Sequence, residues 1–122
     1  MTRVYFITTI LLSLFMYTSQ ARLKDAVVSN IHGTDLLRLC ETPEGTNEAN
    51  FCTGFIMGTR DGVALATNLR DTAPILATPL EAKEDQLKAV VEKYLKDHPE
   101  ELHKPAGLLV IFALSKAFPP GK

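Results

Sequence analysis

Gln86-Leu87-Lys88-Ala89-Val90-Val91-Glu92-Lys93-Tyr94-Leu95-Lys96 is the clearest helix in this 122-residue chain. Leu87, Val90, Val91, Tyr94 and Leu95 recur at i, i+3, i+4, i+7 and i+8, which puts all five on one helical face. Glu84, Lys88, Glu92 and Lys96 alternate in sign every fourth residue, and this ladder reads as a solvated outer face. Exposed pairs of that kind contribute only ~0.3–0.5 kcal/mol each. Upstream, Thr78-Pro79-Leu80-Glu81 has the form of a capping box with Pro at the first helical position, so the helix is expected to open there. His98-Pro99 stops it, because Pro disfavours helical geometry in the residue before it. Pro105 is expected to open a further helix at its first position. Over residues 106–114 that helix is apolar on nearly every side, which suits the centre of a core or a face covered by a second subunit. Phe118-Pro119-Pro120-Gly121 terminates it.

Residues 70–78, Arg-Asp-Thr-Ala-Pro-Ile-Leu-Ala-Thr, carry no helical period and contain Pro74. They read as a long, irregular and moderately apolar connection. Before them a helix is expected from Glu48 to about Asn68, with Phe51, Phe55, Gly58 and Gly62 on one face. Gly54, Gly58 and Gly62 recur every fourth residue. Each costs about 1 kcal/mol against Ala in a helix interior, so the stripe points to a close helix neighbour. Packing inside the domain is the preferred reading, and a dimer face is the alternative. Arg60 and Asp61 beside the stripe exclude a membrane span. Residues 41–47 form a polar loop with Pro43 and Gly45. A short helix is expected over Asp35 to Cys40, capped by Gly33 or Thr34. No β-like alternation is present, so the fold class is all-α, with about four helices.

The N-terminus has a different character. Met1-Thr2-Arg3 is basic, Val4 to Tyr17 is apolar apart from Thr8, Thr9 and Ser13, and Ser19-Gln20-Ala21 has small residues at both positions a signal peptidase reads. This order marks a secretory signal peptide, with cleavage expected after Ala21. A retained anchor is the alternative, but a bilayer span needs ~20 apolar residues. The expected organisation is therefore a signal peptide over 1–21, an irregular leader over 22–33 and one helical domain over 34–122. Export to the periplasm follows, without stable membrane insertion once the signal is removed.

The chain carries 13 Lys and Arg against 14 Asp and Glu. Such a balance leaves no electrostatic footprint for nucleic acid. Trp is absent and aromatic residues make up 7%, so no stacking platform for bases or sugars is visible. The two cysteines, Cys40 and Cys52, read as a disulfide in an exported protein. Closing a loop of that length stabilises a fold by ~2–3 kcal/mol in the chain-entropy model. A reactive thiol or a metal pair are the rival readings, although no His lies near either Cys.

Catalytic chemistry needs a constellation of groups. His98-Pro-Glu-Glu-Leu-His103 resembles zinc-protease helices only superficially, since those place two His four apart. A separation of five turns the two rings away from each other. No phosphate loop, nucleophile elbow or carboxylate cluster appears. The residues thus describe a non-enzymatic domain, with no catalytic residue, metal or cofactor assigned.

Several segments resemble a known family when taken in order. They are Leu36-Leu37-Arg38-Leu39-Cys40, Phe51-Cys52-Thr53-Gly54-Phe55-Ile56-Met57-Gly58, Pro79, Gln86 to Val91, Tyr94-Leu95, His98 to His103, Ala113-Leu114 and Ala117-Phe118-Pro119. The chain resembles the Rap/Tai periplasmic immunity proteins. That resemblance implies binding and inhibition of a cognate peptidoglycan-cleaving amidase effector delivered by type VI secretion, and it also allows a homodimer. A non-enzymatic periplasmic stress or client-binding protein is the alternative. Relatives often carry a second cysteine pair at the positions of Ala77 and Pro120. Its joint absence here supports Cys40–Cys52 as the remaining bridge and implies a C-terminus less firmly fastened near Ala77. The connection over Arg70, Asp71, Thr72, Pro74, Ile75 and Leu76 is the candidate partner-binding loop, with Gly54, Gly58 and Gly62 as the candidate packing or dimer stripe.

Overall fold

The computed structural model describes residues 30–121. The expected signal peptide and most of the leader lie outside them. Four helices follow in order: α1 (Gly33–Cys40), α2 (Asn47–Leu69), α3 (Glu84–Asp97) and α4 (Ala106–Ala117). A short 3-10 turn, Pro99–Glu101, separates the last two. No strand occurs among the described residues, and the single β-bridge joins His32 to Pro105. The all-α expectation holds.

Local chemistry sets each helix start. His32 precedes α1, and its backbone N–H donates to the Asp35 carboxylate at 3.1 Å. Gly33 therefore sits inside the first turn, and neither it nor Thr34 is the cap. Glycine is required at 33 by close approach. A Cβ there would lie 2.4 Å from Leu109 Cδ1 and 3.1 Å from the Leu102 backbone. Thr46 caps α2, accepting from the Ala49 N–H at 3.2 Å. Gly45 just before it has φ 85°, a region that suits a residue without a Cβ.

Two expected helix starts are corrected. Residues 79–82 form one isolated turn, with the Ala82 N–H donating to the Pro79 carbonyl, and α3 opens only at Glu84. Lys83 and Glu84 occupy the positions one turn before Leu87, so a longer helix would have no continuous apolar face to bury. Leu80, which would belong to that extra turn, is 99% exposed. Pro105 precedes α4 instead of opening it, because its ψ of 131° is extended. α4 also runs three residues past Leu114, to Ala117.

The core gathers Leu36 of α1, Ile56 of α2, Leu87, Val91 and Leu95 of α3, and Leu109, Val110, Ala113 and Leu114 of α4. α4 is its centre, as the all-round apolar run implies. Cys40 and Cys52 form a disulfide with their Cα atoms 5.1 Å apart, and both are buried. The bridge ties the end of α1 to the second turn of α2 beneath the intervening loop. Ion pairs join that loop to α3. Lys96 meets Glu41 at 3.5 Å, and Lys88 pairs closely with Glu44. Lys88 is thus not part of a solvated ladder. Its side chain is buried while its stem covers the core, and only the Glu92–Lys96 step of the ladder forms as expected.

Candidate partner-binding site

α2 is 23 residues long, about 34 Å at 1.5 Å per residue. Its buried residues are Ala49, Cys52 and Ile56 in the first half and only Thr67 beyond them. The second half is an arm that carries exposed apolar side chains, with Leu65 at 59% and Leu69 at 78%. Gly54, Gly58, Gly62, Leu65 and Leu69 are spaced four, four, three and four residues apart, so they share one face. Among the described residues, no side chain fills the space over its glycines. A Cβ added at Gly54, Gly58 or Gly62 would meet nothing within 4 Å. The three glycines thus leave open space within 4 Å of where their side chains would stand.

Beside the stripe runs an open apolar groove. Phe51, Phe55, Gly58 and Gly62 of α2 form one wall, and Gly107 and Ile111 of α4 form the other. Its volume is about 510 Å³. Phe51 stands half out of it, with its ring 6.1 Å from that of Phe55. The groove exists because Gly58 and Gly62 offer no side chain to fill the space between the helices.

The connection leaves the arm through a sharp stop. Asp71 donates its N–H to the Asn68 carbonyl at 3.2 Å, and Thr72 to the Thr67 carbonyl at 3.1 Å. This pair of bonds is a Schellman termination. Of the residues singled out in the connection, Arg70, Asp71, Thr72, Pro74 and Ile75 are exposed. Leu76 turns inward onto the core and anchors the segment. Ala77 next to it donates its N–H to the Phe118 carbonyl at 3.3 Å, so the connection lies beside the C-terminal segment. Leu65, Leu69 and Leu80 were not singled out from the sequence. Their signal was an excess of apolar residues that no single buried face accommodates.

The remaining polar cluster is structural. Tyr94 Oη donates to Glu101 at 2.8 Å, Lys104 Nζ donates to the same carboxylate at 2.9 Å, and the His98 ring lies 4.4 Å from that of Tyr94. These contacts fasten the 3-10 turn onto α3. The bond from Lys104, then that from Tyr94, hold the Glu101 carboxyl below its usual range. Burial first, then Glu101, push the Tyr94 hydroxyl up to about 12. His98 contacts Glu100 and His103 is exposed, so the two rings do not form a metal pair. Among the described residues no group of three or more His, Cys, Asp or Glu is placed to hold a metal ion. No helix of the described residues is long and apolar enough to cross a membrane.

These features define a class: a small helical domain with one disulfide staple and, among the described residues, an exposed apolar face. The sequence model of the Rap1a immunity proteins matches residues 32–120, and the chain belongs to that family. Comparison with curated proteins and with solved structures gave no match. Membership makes this an immunity protein, whose role is to bind a partner effector.

Proposed function

We propose that the protein acts in the periplasm, where it binds and inhibits a peptidoglycan-cleaving amidase delivered by type VI secretion. It does so without catalysis of its own. The exposed apolar face of the α2 arm carries this reading, because it continues into the exposed connection over residues 70–75. A rigid, disulfide-stapled domain presents such an arm to an enzyme cleft with little ordering cost on binding. The signal-peptide pattern of residues 1–21 supports the compartment.

A homodimer belongs to the same proposal. The exposed Phe51 beside the open glycine floor forms a knob and a hole on one surface, the self-complementary pattern a two-fold interface needs. The apolar groove also favours a second reading, in which the protein holds unfolded clients. A pull-down separates the two. Residues 22–122 in oxidised form serve as bait for secreted and periplasmic proteins of the same species. One stoichiometric cell-wall amidase supports the immunity role, and many unrelated proteins at low occupancy support client binding.

A further inference from the structure

The described residues begin at the apolar groove itself. Asn30 and Ile31 line it, together with Phe51 and Phe55 of α2 and Gly107 and Ile111 of α4. Two contacts pin that entry point. His32 bridges to Pro105, and the Ala106 N–H donates to the Ile31 carbonyl at 2.9 Å. Ile31 also packs against the core, so the residues before it start from a fixed position beside the first turn of α4. Those residues are Leu23-Lys24-Asp25-Ala26-Val27-Val28-Ser29. Leu23, Ala26, Val27 and Val28 are apolar, and the last three are consecutive.

Reach and apolar character both match the groove. Seven residues extend over at most about 23–25 Å. Between Phe51 and Ala66, which both line the groove, α2 rises about 22 Å. We infer that residues 23–29 of the same chain dock along this groove, with Val27 and Val28 supplying the apolar contacts. Tethering favours this occupant over a second copy. A segment joined to the groove through Asn30 meets it at an effective concentration in the millimolar range, far above that of a free partner. Gly58 and Gly62 then make room for a passing backbone of the same molecule. The inference does not depend on the identity of the effector. It makes the groove self-occupied, so a second subunit or an unfolded client reaches it only by displacing the segment.

The test uses the oxidised, isotope-labelled chain over residues 22–122. Nuclear Overhauser contacts are expected from the Val27 and Val28 methyls to the Phe55 ring or the Ile111 methyls. A mixture of labelled and unlabelled chains is expected to show none of these contacts between chains. Val27→Asp with Val28→Asp is expected to keep the helical circular dichroism, lose the contacts and melt at least about 4 °C lower, the scale of shift that a lost apolar contact produces in a domain of this size. Absence of the contacts in the wild type overturns the inference. Contacts that appear only between chains also overturn it and assign the groove to a second copy. A double variant that melts as the wild type does overturns it as well.

Discussion

Four glycines with the same intrinsic helix penalty have opposite consequences here. Gly33 lies against Leu109 and Leu102, whereas Gly54, Gly58 and Gly62 face open space. Gly33→Ala is therefore expected to destabilise the fold by about 1–3 kcal/mol, as overpacking does. Gly58→Ala is expected to stabilise the isolated domain by about 0.5–1 kcal/mol. Urea unfolding of the two variants checks the contrast. If the glycine face is a dimer interface, the second variant also shifts the sedimentation profile towards monomer. Tyr94 gives a pH signature. Its hydroxyl is pushed up to about 12, so stability from this group is complete below pH 10 and is lost as pH rises towards 12. Unfolding midpoints of the wild type and Tyr94→Phe are expected to converge over that window. Glu101 acts in the opposite sense. Its lowered carboxyl stabilises the fold above the ordinary glutamate range, and that contribution is lost as pH falls through its folded value.

At the scale of elements, the existence of each helix was legible and its boundaries were less so. Period and Pro placement located α3 and α4 and the stop at His98. The start of α3 was misread because Thr78-Pro79-Leu80-Glu81 has the residue types of a cap but no buried face behind it. Capping patterns report local compatibility, whereas a helix also needs apolar area to cover. Lys88 was misread for a related reason. Charge alternation along one helix cannot show that a loop 44 residues earlier brings Glu44 onto it. The glycine stripe was legible as a feature, but its direction was not, because spacing fixes a face without saying what that face meets. The exposed arm yields a prediction at this scale. Leu65→Ser with Leu69→Ser is expected to leave stability within ~0.5 kcal/mol of wild type per residue, since neither side chain is in the core. The same pair is expected to abolish retention of the amidase. Thermal unfolding and the pull-down read the two effects separately.

For the whole molecule, two fastenings decide how rigidly the arm is presented. The disulfide joins α1 to α2 at the base of the arm. At the far side, the connection meets the C-terminal segment through the Ala77–Phe118 backbone bond. That contact involves Ala77, one of the two positions where the resemblance implies a second cysteine pair, and here the fastening is one backbone hydrogen bond. Ala77→Cys with Pro120→Cys is expected to oxidise spontaneously and raise stability, by up to ~4 kcal/mol in the chain-entropy model for a loop of this length. Thiol titration and urea unfolding check it.

We propose that this immunity protein silences a cell-wall amidase by occupying its cleft. The most direct measurement is a titration of the retained amidase, acting on purified peptidoglycan, with increasing amounts of oxidised chain. Stoichiometric inhibition is expected, with activity falling linearly to zero as binding sites fill. Peptidoglycan cleavage that continues unchanged at saturating chain would contradict the claim.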